Sequence, residues 1–295
     1  MILITGASGF IGKHLLKKML FIYGKENILA LTSKPIGHCN YLLHNDYDFD
    51  KDFFLKLGYS KIQTIIHAGA FTPKSHLTSN DIENCNKNIT NTFRLINADL
   101  PNLKKIIFLS TLDVYAKAAV ITEKTETIPS SLYGFSKLYC EKMIKNWAKE
   151  KEITYQTLRI GHVYGPGEEK YQKIIPVVMN NLLKNKLIKI FGEGKDIRTF
   201  IYIDDVIDAV SRVISFDKSL EEITIVGSEK TSILNLVNQI VRISGRNPEI
   251  EQIESSVKRY DLLFDNSKMI RLLGVPKIKL NDGLKKEWDY MKNKY

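Results

Sequence analysis

A short apolar run, Ile2 to Ile4, leads directly into Thr5-Gly6-Ala7-Ser8-Gly9-Phe10-Ile11-Gly12, after which the chain takes up a helical period. Few arrangements suit that order. Gly6 allows a tight turn, Gly9 lets the backbone come close to a ligand, and Gly12 lets helix and strand pack closely. The N-terminus of the following helix then faces whatever sits on the turn with unpaired N–H groups. A strand, such a turn and a helix in this order point to a cradle for the pyrophosphate of a dinucleotide, with Ser8, Phe10 and Ile11 in the same wall.

The rest of the chain fits a parallel sheet around that unit. Strand-length apolar runs at Ile28 to Leu31, Ile62 to Ala68, Ile106 to Leu109 and Thr154 to Ile160 alternate with helical segments, among them Phe10 to Tyr23 and Ser131 to Lys149. Right-handed βαβ units assemble such runs into an α/β fold, a Rossmann-type doubly wound parallel sheet. Past Arg159 the texture changes. A loop is expected over His162 to Lys170 and a turn at Gly192 to Gly194, with helices at Asp204 to Phe216, at Ser232 to Ile243 with Thr231 as a plausible N-cap, at Asn266 to Leu273 and at Gly283 to Met291. This suggests a dinucleotide-binding domain over 1–160 and a smaller α/β substrate-binding lobe over 161–295, with about 197–226 returning to the main sheet. A chain of 295 residues can bury a core on either plan.

Lys and Arg (43) exceed Asp and Glu (33), which favours an anionic ligand. The lysines are spread along the chain rather than clustered, so a solvated surface is the better account and no nucleic-acid partner is expected. Cys39, Cys85 and Cys140 are far apart and odd in number, which argues against a disulfide framework and a metal site and suits a reducing compartment. Without a leader-like start or a membrane-length apolar run, the expectation is a cytoplasmic protein with no membrane partner.

The end of the second strand carries Thr32, Ser33 and Lys34, where a carboxylate would normally hold the adenosine ribose. Hydroxyls and an ammonium suit a 2′-phosphate, which favours NADP over NAD. The plainer alternative is an exposed Lys34 beside NAD.

Tyr133 and Lys137 stand four residues apart in a helical segment, hence on one face. The spacing recurs in Tyr47 with Lys51 and in Tyr290 with Lys294, so position must decide. Tyr133 follows the strand ending in Ser110 and Thr111 by about twenty residues, which brings it to the carboxyl end of the parallel sheet, where ligands bind. A phenol with a pKa near ~10 works as a base at neutral pH only beside a cation. Lys137 and an oxidised nicotinamide can share that task, and Thr111 or Ser110 can hydrogen-bond the substrate oxygen.

With the glycine turn, the Ser-Thr strand end and YxxxK in this order, the chain resembles the extended short-chain dehydrogenase/reductase family nearly end to end. Further likenesses are His67-Ala68-Gly69-Ala70, Asn88-Ile89-Thr90-Asn91-Thr92, Val114-Tyr115, Arg159 to Pro166, Phe191 to Gly194, Arg198 to Val206 and Asp265 to Lys268. The resemblance implies a nucleotide-diphosphate sugar as substrate and Thr111, Tyr133 and Lys137 as the catalytic set. It implies that Asp46 and Tyr47 flank the adenine, that Ala68, Gly69, Ala70 and Asn88 line the cofactor cleft, and that Lys137 holds the nicotinamide ribose. Ile190 and Phe191 would meet the nucleobase and Arg198 the diphosphate, and a homodimer is usual in the family. Two positions depart. His162 stands where the family has Asn, which fits either an altered substrate contact or a packed histidine. The family's second phosphate arginine falls on Ser255, with Arg259 nearby but out of register.

The family's dehydratases carry an Asp-Glu pair directly after the catalytic threonine, whereas this chain has Leu112 and Asp113. Leucine cannot protonate a leaving hydroxyl, so no 4,6-dehydration is expected. A 4-keto-6-deoxysugar-nucleotide reductase using NADPH, with Tyr133 as proton donor, is the leading reading. A nucleotide-sugar 4-epimerase with tightly held NAD is the alternative, and a non-catalytic nucleotide-sensing or RNA-binding protein is a remote third.

Overall fold

A computed structural model describes residues 1–37, 39–44, 46–254 and 260–294. The strands are β1 (Ile2–Thr5), β2 (Ile28–Thr32), β3 (Asn40–Leu43), β4 (Thr64–His67), β5 (Lys105–Thr111), β6 (Thr154–Ile160), β7 (His162–Tyr164), β8 (Ile188–Phe191), β9 (Ile197–Tyr202), β10 (Glu222–Ile225), β11 (Lys230–Ser232) and β12 (Ile250–Ile253). The α-helices are α1 (Phe10–Tyr23), α2 (Phe53–Lys56), α3 (Ile82–Ile96), α4 (Leu132–Glu150), α5 (Ile174–Leu183), α6 (Ile203–Ile214), α7 (Ile233–Ser244), α8 (Ser267–Leu273) and α9 (Leu280–Lys294).

Seven strands form the main sheet in the order β3-β2-β1-β4-β5-β6-β10, every neighbouring pair parallel. β1, β2, β5 and β10 are almost wholly buried, as continuous apolar runs covered on both faces must be. The order reverses between β1 and β4, and there a doubly wound sheet opens its ligand crevice.

A second group of strands follows the carboxyl end of β6. β7, β9 and β11 make a small mixed sheet, and β8 pairs with β12. One contiguous apolar core runs from Leu15 and Met19 of α1 through Ile160 and Val206 to Leu284 and Trp288 of α9. The first third of the expected 162–170 loop is strand β7, because Val163 and Tyr164 are buried there and pair with Ile201 and Tyr202. α7 is capped by Ser232 rather than Thr231, with its side chain accepting from the N–H of Asn235.

Candidate active site

The glycine turn lies against the loop that leaves β4. Gly6 has φ +66°, and a Cβ built there would stand 2.5 Å from the Cα of Gly69. Gly12 is equally confined, its virtual Cβ 2.0 Å from the Gly6 carbonyl. Gly9 is the N-cap of α1, which has no side-chain cap and no acidic residue in its first turn, so its leading N–H groups remain available to an anion. These features fit a dinucleotide pyrophosphate.

Beneath the turn a buried polar chain holds the crevice in shape. Thr5 Oγ1 accepts from the Gly69 N–H (2.9 Å) and lies 2.7 Å from His67 Nδ1, while His67 Nε2 lies 3.0 Å from Thr92 Oγ1. Thr92 donates its one proton to the Asn88 carbonyl. His67 therefore donates from Nε2 to Thr92 and accepts at Nδ1 from Thr5, the neutral tautomer. Burial, followed by the charge of Lys137, holds its pKa down to about 3, in keeping with that assignment. Tyr47 is buried at φ +50° and stacked on Phe49, with its phenol beside Gly69 and Thr5, so it braces the turn. Burial raises it to about 12.

At the carboxyl end of β5, Ser131 caps α4 by accepting from Gly134 N–H, and the Tyr133 N–H donates to the Ser79 carbonyl. The Tyr133 phenol has as neighbours the hydroxyls of Thr111, at the end of β5, and of Thr72, in the loop after β4. Burial is the main cause that raises its pKa, with the nearby Asp113 carboxylate second, while the two hydroxyls lower it. Lys137 lies one turn further along the same stripe, 3% exposed, with Nζ 4.1 Å from the Phe108 ring centroid. Burial lowers it to about 8, against the opposing influence of Cys140 and Glu141. A phenol and a threonine hydroxyl are thus neighbours at the carboxyl end of β5, with a buried, readily deprotonated ammonium one helical turn away over the Phe108 ring. That set can pass a proton to or from a substrate hydroxyl. The other YxxxK pairs differ: Tyr47 lies in a loop, and Tyr290 with Lys294 on α9 engages Glu169.

Several expected ligand residues have their side chains committed within the protein. Asn88 accepts from Phe71 N–H and donates to the Phe71 carbonyl and to Ser136 Oγ, which leaves its amide no free donor. Ser110 donates to Glu141. Thr32 donates to the Lys34 carbonyl and accepts from the Lys34 N–H, so its hydroxyl closes a turn, while Ser33 and Lys34 are exposed. Ser8 Oγ lies 3.5 Å from Ser33 Oγ. The Asp46 carboxylate lies 3.8 Å from Lys87. Ala68 and Ala70 are half-buried beside Gly69.

Outside the main sheet, β8 alternates, with Ile190 in the core and Phe191 half-exposed. Arg198 of β9 donates to the carbonyls of Ile197 and Tyr260. His162 packs on Phe200, and burial, then Lys173 and Arg198, lower its pKa to about 4. Arg259 and Ser255 lie outside the described residues. Thr72 and Glu141 were not legible as site residues, because only the fold brings loop 68–72 and the middle of α4 to this place.

No helix among the described residues is long and apolar enough to cross a membrane, and no cluster of three or more His, Cys, Asp or Glu side chains there could hold a metal.

The model of the NAD dependent epimerase/dehydratase family matches residues 2–227. The chain is 28% identical over 306 residues to the "Putative UDP-glucose 4-epimerase" of Methanocaldococcus jannaschii, with 99% of each chain covered. It is 27% identical over 272 residues to a dTDP-D-glucose 4,6-dehydratase of Dictyostelium discoideum, covering 82% of this chain and 62% of that one. Among solved structures, UDP-glucuronic acid 4-epimerase of Bacillus cereus in complex with UDP-glucuronic acid and NAD has a TM-score of 0.86 at 27% identity, covering 100% of this chain and 99% of that one. The chain therefore belongs to the NAD dependent epimerase/dehydratase family and is an enzyme of the nucleotide-sugar-modifying kind.

Proposed function

We propose that this member of the NAD-dependent epimerase/dehydratase family is a UDP-hexose 4-epimerase that keeps NAD bound through the cycle. The observation that carries the reading is the contact of the Tyr133 phenol with Thr111, with Lys137 one turn along the same stripe of α4. The glycine turn around Gly6 and Gly9 would hold NAD, which would supply the hydride acceptor and donor for carbon 4. Tyr133 removes the proton of the 4-hydroxyl and later gives it back, Thr111 orients that oxygen, and Lys137 offsets the phenolate charge. Arg198 and Phe191 face the diphosphate and the nucleobase.

Two features weigh against the other family chemistries. Leu112 stands where dehydration needs an acid, which speaks against elimination despite the dehydratase relatives. The reductase reading leaned on Thr32 as part of a 2′-phosphate site, and that hydroxyl is engaged in its own turn. NAD accordingly has more support than NADP. The exposed apolar residues Ile82 and Phe93 of α3, with Phe135 and Tyr139 of α4, further support a homodimer joined across these two helices.

The test is direct. Purified enzyme is incubated with UDP-glucose, and separately with UDP-glucuronate, and products are followed by NMR. Appearance of the 4-epimer without net cofactor turnover is expected. Stoichiometric oxidation of NADPH by a 4-keto-6-deoxy nucleotide sugar, with no epimer formed, would overturn the reading.

A further inference from the structure

Tyr133, Lys137 and residue 141 form one stripe along α4, each four residues from the last. The third member is Glu141, 2% exposed, and its carboxylate gathers groups from two neighbouring strands. Ser110 Oγ donates to Oε1 at 2.5 Å. Arg159 donates from Nε to Oε1 at 3.1 Å and from Nη2 to Oε2 at 2.7 Å. Ser110 and Arg159 are register partners across β5 and β6, so their side chains leave the sheet on the same face. The guanidinium also lies 4.7 Å from the ring centroid of Tyr115, whose hydroxyl meets Thr224 of β10 at 2.7 Å. One carboxylate thus ties the catalytic helix to β5, to β6 and, through Tyr115, to β10.

Stability alone is a poor reason for such a pair. Removing two charges from water is costly, and apolar residues of similar size often serve the fold as well or better. A bidentate fork does what apolar packing does not, which is to fix distance and direction. Ser110 immediately precedes Thr111, so the fork sets where the threonine hydroxyl stands relative to the tyrosine on the neighbouring turn. Glu141 is also a charge beside Lys137. On α4 the ammonium feels the charges of Cys140 and Glu141; from β4 it faces the neutral His67, from β5 the Phe108 ring, and from β6 Arg159 lies behind the carboxylate.

We propose that Glu141 is a positioning residue for the epimerase reaction, holding Thr111 in register with Tyr133 and setting a carboxylate one turn from Lys137. This rests on the function proposed above. A misplacement of about 1 Å between reacting groups lowers rates on the order of 100-fold, which sets the scale expected.

The experiment compares wild type, Glu141→Gln and the apolar double variant Glu141→Leu/Arg159→Met, each loaded with NAD. Melting temperature, kcat, KM and the pH dependence of kcat are measured. The Nζ titration of Lys137 is followed by 15N NMR, with its resonance assigned from Lys137→Met. Glu141→Gln is expected to lower kcat about 10- to 100-fold with KM within about twofold, because the substrate grip is elsewhere. Losing the carboxylate also moves the Lys137 titration, and the alkaline limb of kcat with it, to lower pH by about one unit. The double variant strands no charge, so it should stay folded and show the same loss of kcat; it decides the matter if Glu141→Gln does not fold. Wild-type kcat and an unmoved Lys137 titration in either folded variant would overturn the proposal. The titration needs no sugar, so an enzyme that fails to epimerise would sink the proposed function and leave this inference to be judged by NMR.

Discussion

The virtual Cβ of Gly6 stands 2.5 Å from the Cα of Gly69, backbone against backbone where the sheet order reverses. Neither partner is the end of a flexible side chain, so neither can swing away. Gly6 also sits at φ +66°, where an L side chain is strained. Gly6→Ala should therefore lose about 2 kcal/mol or more of stability and most of its bound dinucleotide. Calorimetry and the nucleotide content of the purified variant check both. A variant that melts like wild type and retains its cofactor would remove the turn from the site.

Tyr133→Phe keeps the ring and deletes the hydroxyl that meets Thr111 and Thr72. It is expected to lower kcat by about 100- to 10,000-fold while leaving NAD content and KM close to wild type. Thr111→Val should lower kcat less, since it orients rather than transfers the proton. Steady-state kinetics with the UDP-sugar that turns over would decide, and equal activity in Tyr133→Phe is the result that counts against the assignment.

Glu168, in the loop after β7, and Glu287 of α9 are fully buried, and their carboxylate oxygens have no hydrogen-bond partner among the described residues. Burial is the chief cause that raises Glu168 to about 8 and Glu287 to about 9; Lys173 opposes it at Glu168, and the Glu168 and Glu169 charges add to it at Glu287. The folded protein thus keeps protons that the unfolded chain releases above the ordinary carboxylate range. Their contribution to stability is complete at acid pH, falls as pH rises past about 4.5, and is gone above about 9. Glu287→Gln should flatten the decline of melting temperature between pH 5 and 9 and exceed wild type at the alkaline end. Parallel curves for the two proteins would refute this.

The dinucleotide released on denaturation should be NAD, identified by mass spectrometry, and Lys34→Ala should leave its content unchanged because the lysine is exposed. Recovery of NADP, lost in Lys34→Ala, would return the reductase to first place.

Phe93 is 55% exposed on α3 and Tyr139 58% on α4, large apolar surfaces without a partner in a single chain. Phe93→Asp with Tyr139→Asp is expected to convert a dimer to a monomer in light-scattering measurements. A wild-type protein that elutes as a monomer would dismiss the proposed interface.

Much of this architecture is legible from periodicity. Strands buried on both faces, such as β1, β2, β5 and β6, read as apolar runs, and α1 and α4 announce themselves through glycine turn and cap. β3 does not, because Asn40, Tyr41 and Leu43 lie exposed on the sheet edge and carry no burial pattern. β7 is only three residues long and owes its form to pairing with β9, a contact invisible along the chain. At the site, Tyr133, Lys137 and Thr111 are legible because their spacing follows helix and strand geometry. Asn88 and Ser110 show where that reasoning ends. Both lie beside the crevice, yet each has a hydrogen-bonding demand met by the protein, and which way a polar side chain turns depends on neighbours dozens of residues away.

The last strand of the main sheet, β10, is separated from its neighbour β6 by every residue from Gly161 to Glu221. On a ribosome, β6 emerges with one edge bare and stays so until that whole stretch has followed it. Pairing across so long a separation is slow, because the closing loop must be ordered before any ladder bond rewards it. Folding of this chain should therefore show its slowest phase at the β6–β10 edge, and chains halted before Ile225 should be the ones that aggregate.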